Sequence, residues 1–291
     1  MRVTVRVPAT SANLGPGFDS FGLALDLCNE VALDTDDVGV RWEGEGADEL
    51  PVDGSDLVSR TIAAVAADMG EAPPPFALEG RNAIPLERGL GSSSAAAVAG
   101  VVLASRLLGL GIDADPYSVW ALAARIEGHP DNAAPAVYGG FTIVADRTVR
   151  RLDPDPRLRP VVLVPRDARL STAEARDALE AAVDHADATF NAAHAALAVV
   201  ALTSDPSLLR AALRDRLHQA RRLALVPEVE EVFDGLVARH VPVCVSGAGP
   251  SLLAFETDDG DAVDAAVASA PGRWGVLRPG LRARGFEVLE G

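Results

Sequence analysis

Apolar and polar residues alternate at the start of the chain, with Val3, Val5 and Val7 set against Arg2, Thr4 and Arg6. A period of two predicts a strand with one buried face. Further strand-like runs lie at 22–27, 38–43 and 76–80. Between the last two, Val58, Ile62, Val65 and Met69 fall at helical spacing, with Ser55 as the expected N-cap and Gly70 as the stop. An Ala-rich helix is predicted over 92–108, closed by Gly109. Another runs from Asp115 as N-cap, with Pro116 in the first helical position, to about Glu127 and Gly128. The stretch 138–145 reads as a closing strand.

Asp153, Pro154, Asp155 and Pro156 then form the clearest internal boundary. Beyond it the pattern predicts a strand at 161–164, a helix opened by a capping box at Ser171 and Glu174, and a long helical stretch to about residue 239. A strand, a Gly-rich turn and a second strand follow over 241–256, then a helix and a last strand at 286–289. Elements grouped in this way predict two α+β lobes, 1–155 and 156–291, rather than a regular βαβ repeat.

Three segments break the pattern and carry candidate chemistry. The first is the run Pro85, Leu86, Glu87, Arg88, Gly89, Leu90, Gly91, Ser92, Ser93, Ser94 and Ala95. Its glycines let backbone approach a ligand, and it feeds directly into a helix whose free N–H groups and positive dipole end favour an anion. The three hydroxyls can add donors or a Mg²⁺ ligand. A tight turn with a serine cap would explain one glycine and one serine, but not the whole run. The second segment, 8–19, is a shaped loop with two glycines and two prolines that presents Asn13 and Asp19. The third, 246–251, is too glycine-rich for a simple hairpin and suggests close packing against a ligand or another loop.

Composition narrows the chemistry. The chain of 291 residues has a net charge of −16, which argues against nucleic acid and anionic membranes as partners. All 26 basic residues are arginine. Without lysine, a P-loop nucleotide site, a protein-kinase site and a pyridoxal Schiff base are all excluded. Cys28 and Cys244 lie far apart in apolar runs and are expected to be buried free thiols. The first residues read as a strand rather than a signal peptide, and no apolar stretch reaches the ~18 residues of a membrane span. A cytoplasmic location is the expectation. His185, His194, His218 and His240 show no metal-ligand spacing, and His218 is expected on a helix surface.

Taken in order, PATSANLGPGFD, IPLERGLGSSSAAA, EGHPDNAAPAVYGG and VSGAGPS resemble the GHMP kinases over essentially the whole chain. The opening motif resembles their homoserine-phosphorylating branch. The resemblance implies an α+β, two-lobe fold with a ribosomal protein S5 domain 2-like N-terminal lobe and a ferredoxin-like C-terminal lobe. It implies ATP on the run from Pro85 to Ala95, and Mg²⁺ shared by Ser93 and Glu127. It places Asn132, Asp131 and His129 near the reacting hydroxyl, with Asn132 orienting it. L-homoserine would be met by Asn13, Asp19, Thr172, Arg176 and Arg222, the two arginines gripping its carboxylate. Ala220 and Arg221 stand where Pro-Tyr is common in the family, so Arg221 and Arg222 can be confused. A homodimer is common in the family. Two alternatives remain open: another kinase of the family acting on a shikimate, mevalonate-like or sugar substrate, or a silent nucleotide-binding sensor. The intact GLGSSS, Glu127 and HPDN set argues against the sensor.

Overall fold

The computed structural model describes residues 1–256, 261–268 and 272–290. Eleven strands and ten α-helices follow one another among them. The first half contains β1 (Arg2–Ala12), β2 (Phe21–Asp34), β3 (Gly39–Gly44), α1 (Leu57–Asp68), β4 (Ala77–Asn82) and α2 (Ser92–Leu108). It continues through α3 (Pro116–Glu127), α4 (Pro130–Tyr138), β5 (Phe141–Ala145) and β6 (Thr148–Leu152). After β7 (Pro160–Pro165) come α5 (Thr172–Asp177), α6 (His185–Thr203), α7 (Leu209–Ala212), α8 (Gln219–Leu223) and α9 (Pro227–Ala238). The chain ends with β8 (Val243–Val245), β9 (Leu252–Phe255), α10 (Asp261–Val267), β10 (Trp274–Leu277) and β11 (Glu287–Glu290).

The first sheet has the order β11-β1-β2-β4-β3. Strand β2 is long enough to serve two partners: Glu30–Asp34 pairs with β4, and Phe21–Leu23 pairs with β5, which in turn pairs with β6. Val3, Val5 and Val7 point into the core as their alternation predicts. The register shifts between Pro8 and Ala9. Beyond that shift every residue of β1 is buried, because the strand runs beneath the 85–95 loop, where the Thr10 N–H donates to Leu90 O at 3.0 Å. Helix α2 is buried along most of its length against this sheet and α1, which explains a composition of alanine and valine with no charge before Arg106.

The second sheet is antiparallel with the order β10-β7-β9-β8, and helices α5–α9 intervene between β7 and β8. That is a ferredoxin-like arrangement. Both of its faces are covered. Val162, Val164, Cys244, Leu253 and Phe255 join the core of the first sheet, while Val161, Leu163, Val243, Val245 and Leu252 pack with residues of α8, α9 and α10. A strand buried on both sides reads as an unbroken apolar run, which is the PVVLVP of β7. The last strand, β11, pairs antiparallel with β1 in the first sheet, so the segment 156–291 contributes to both layers.

Several local expectations change. The cap of α1 is Asp56, whose carboxylate accepts the Ser59 N–H at 2.9 Å, one residue later than Ser55. Residues 130–138, of which the sequence pattern assigns only Tyr138, to the closing strand, form α4. The long helical stretch before residue 239 is divided into α6–α9 by Asp205-Pro206, by the loop at Asp215 and by Val226-Pro227. The capping box at Ser171 and Glu174 is present with both of its bonds. Cys244 is buried and its thiol is pushed up to about 12 by that burial, whereas Cys28 is only half-buried. Helix α6 is long and apolar enough to cross a membrane by length and composition alone, unlike any stretch expected from the sequence. Its Ala198, Ala201 and Leu202 lie in the main core.

Candidate active site

The three irregular loops meet. Gly89 has φ of +67°, and a side chain there would meet Ser246 O at 2.1 Å, so the loop lies directly on the 246–251 turn. Ser246 Oγ donates to Gly89 O at 2.7 Å, and the Gly247 N–H donates to Ala12 O at 3.1 Å. The third segment thus packs against the other two loops. Gly91, also left-handed, is the N-cap of α2 and makes no side-chain cap bond, so the first-turn amides of the helix are not taken by a capping side chain.

A cavity of about 510 Å³ opens beside this helix start. One end is apolar, with Val7, Val31, Trp42, Leu50 and Leu57; the other reaches Ser92, Ser93, Asn132 and Thr172. The 85–95 run lines it except for Ser94, which lines an adjoining polar pocket of about 50 Å³. Arg88 has a second task. Only 8 % exposed, it donates from Nε to Pro165 O (3.0 Å) and from Nη2 to Arg166 O (2.9 Å), fastening the loop to the end of β7. Burial lowers its pKa. Arg169 crosses the rim, paired with Glu49 and lying 3.6 Å from Glu87.

The small pocket gathers Asn13, Asp19, Ser93, Ser94, Glu127, His129, Asp131, Asn132, Thr172, Arg176 and Arg222, residues far apart in sequence. Glu127 is the last residue of α3 and Gly128 is its left-handed C-cap. Its Oε2 accepts from Ser93 Oγ at 2.7 Å and from Ser94 Oγ at 2.9 Å. Two hydroxyls and a carboxylate beside a helix N-terminus are hard oxygen donors of the kind Mg²⁺ takes when phosphates complete its shell. Among the described residues no three His, Cys, Asp or Glu side chains cluster as an all-protein cage.

Opposite the serines, Asp19 and Arg176 form a two-pronged pair at 2.7 and 3.0 Å. Arg176 Nε also donates to His129 Nε2 at 2.9 Å. Asn13 and Asp19 both have positive φ, and Asn13 Oδ1 accepts the Asp19 N–H at 2.9 Å, which fixes the loop that presents the carboxylate. Asp131 is 4 % exposed, and burial, followed by the charge of Asp19, pushes its carboxyl up to about 6. Asn132 Oδ1 accepts from Thr10 Oγ1 at 2.8 Å, leaving the amide NH₂ as the free end of the side chain. Thr10 carried no signal in the sequence beyond its place in a loop.

Arg222 faces the pocket at 3 % exposure, and burial pushes its pKa down to about 10. Arg221 points away and pairs with Glu180 at the surface, so the two arginines are not interchangeable. His218, expected on a helix surface, is instead buried beside Arg222.

Family models for the GHMP kinase N-terminal domain and C-terminal domain match residues 56–140 and 193–271. A homoserine kinase of Clavibacter michiganensis is 44% identical over 272 residues, covering 91% of this chain and 86% of that protein. One from Mycobacterium tuberculosis is 43% identical over 299 residues, covering 98% and 90%. Among solved structures, a homoserine kinase from Cytophaga hutchinsonii superposes with a TM-score of 0.84 at 27% identity, over 99% of this chain and 97% of the other. A putative homoserine kinase from Listeria monocytogenes gives 0.80 at 29% identity, over 99% of both.

Proposed function

Because the chain belongs to the GHMP kinases, we propose that it transfers the γ-phosphoryl group of ATP to the side-chain hydroxyl of L-homoserine, giving O-phospho-L-homoserine, a step toward threonine. One structural observation supports that reading above the others. The polar pocket that adjoins the α2 N-terminus holds paired charges of both signs, as a zwitterionic amino acid requires. A sugar or a mevalonate-like acid carries no ammonium group to set beside the carboxylate of Asp19. Both substrates are small metabolites of the cytoplasm, which supports a cytoplasmic enzyme.

The residues divide the work as follows. The apolar end of the larger cavity receives the base, and the phosphates lie along the 85–95 run toward the amides of α2. Ser93 and Glu127 would hold Mg²⁺, which when bound neutralises charge on the phosphate oxygens. Glu127 sits at the negative end of α3, where a carboxylate is unfavourable and an adjacent cation offsets the cost. Asp19 receives the ammonium group, and Arg176 and Arg222 receive the carboxylate. Thr172 closes the side shared by both cavities. The NH₂ of Asn132, its carbonyl held by Thr10, orients the acceptor hydroxyl for in-line attack, with His129 and Asp131 beside it. A loose transition state places most of the catalysis in positioning and charge neutralisation, so no strong base is required.

ATP consumption measured with homoserine, shikimate, mevalonate and galactose tests the proposal. Turnover is expected on homoserine alone. Turnover on a non-amino-acid only would overturn the acceptor assignment, and none on any acceptor would return the chain to a sensor role.

A further inference from the structure

Arg222 forms no ion pair among the described residues; Asp19, Asp131 and Asp215 favour its buried charge from farther off, and the groups that touch it are neutral. There are three of them. Nη1 donates to Gly247 O at 2.8 Å, the same nitrogen lies 3.3 Å from His218 Nδ1, and Cζ lies 5.3 Å from the centre of the Phe18 ring. His218 is the N-cap residue of α8, one turn before Arg222, and is 1 % exposed. Its Nε2 is 2.8 Å from Gly15 O. A carbonyl only accepts, so Nε2 carries the proton, and Nδ1 of the neutral ring turns a lone pair toward the guanidinium. Protonation would set a second N–H against a cation. Burial opposes that and pushes the imidazole down to about 4. Asp215 fixes the backbone at this point, accepting the N–H of His218 at 2.9 Å and of Gln219 at 2.8 Å.

Resting on the assignment of Arg222 to the substrate carboxylate, the geometry points to His218 as a positioning residue, whose Nδ1 lone pair orients the Arg222 guanidinium toward the acceptor. The role is separable from simple packing because the two ring nitrogens do different things. Nε2 bonds to the 8–19 loop, and Nδ1 bonds to the arginine.

Two substitutions divide them. His218→Asn keeps an acceptor near the place of Nδ1 and loses the donor that reaches Gly15. His218→Gln keeps a donor near the place of Nε2 and loses the acceptor that faces Arg222. Steady-state kinetics are read with homoserine and MgATP varied separately, after urea unfolding has shown both variants folded. His218→Gln is expected to raise the KM for homoserine roughly tenfold, the scale of one lost hydrogen bond to a charged group, with the KM for ATP unchanged. His218→Asn is expected to stay within about threefold of wild type on both. The reverse order, or an unchanged homoserine KM in His218→Gln, overturns the inference. Absence of homoserine turnover in the wild type is a different result and overturns the proposed function instead.

Discussion

At Asp131, stability and the use of the site conflict. Its carboxyl, pushed up to about 6 by burial and then by the charge of Asp19, holds its proton more tightly in the native state than in the unfolded chain. The native protein therefore binds more protons between about pH 4 and pH 6, and this residue's contribution to stability falls as pH rises through that window. Asp131→Asn keeps the acceptor for the Asn132 N–H and removes the charge. The variant is expected to exceed wild type by roughly 3 kcal/mol at pH 8, to lose that advantage toward pH 4, and to turn over more slowly. His218, pushed down to about 4, titrates with the opposite sign in the same window, but it is common to both proteins and cancels in the difference. Urea unfolding of the pair at pH 4.5, 6 and 8 decides it; a gap that does not change with pH would remove the buried charge as its cause. Residues of this kind were half legible. Asp131 is marked by its HPDN motif, but its raised pKa depends on Asp19, more than a hundred positions away. Likewise, LHQARR shows two arginines, and only the packing of α8 decides that Arg222 faces in and Arg221 faces Glu180.

Elements with strong local signals are the ones the sequence makes plain. Helices α2 and α3 begin and end where Gly91, Gly109, Asp115 and Gly128 place their caps. Helix α4 was hidden because its nine residues contain two prolines and end at a pair of glycines, a composition that reads as turn. The arrangement of the ends is what matters for the proposed function. The start of α2 and the end of α3 meet at Ser93, Ser94 and Glu127, bringing the positive pole of one helix to the negative pole of the other. Glu127→Gln tests whether that junction is a metal site. With Mg²⁺ as its partner, the variant is expected to unfold at the same or slightly higher urea concentration than wild type. Its turnover should fall at least tenfold and its Mg²⁺ requirement should rise. Activity near wild type at limiting Mg²⁺ would instead leave Glu127 as a partner of the two serines alone.

On the scale of the whole molecule, both sheets contribute to the proposed nucleotide site. The loop proposed to meet the phosphates lies between β4 and α2, yet Arg88 anchors it to β7, and Ser246 anchors it to the turn between β8 and β9. Strand β11 returns to β1, a pairing no local pattern could reveal because its partner lies at the other end of the chain. On the proposed function, the cleft so formed admits MgATP, an anion, to a protein of net charge −16. At 10 mM ionic strength the screening length is about 30 Å, so acidic groups across the whole surface act on an approaching nucleotide. At 150 mM it is about 8 Å, and only groups around the mouth remain in play. Those include Arg169, whose charge is already shared with Glu49 and Glu87. Salt should therefore remove repulsion faster than it removes attraction. The association rate of MgATP, followed by stopped flow at fixed free Mg²⁺, is expected to rise roughly threefold between these conditions and then level off. A rate that falls with salt would show the opposite balance, with the arginines of the cleft outweighing the field of the remaining surface. In that case the lysine-free site would draw its nucleotide in as well as hold it.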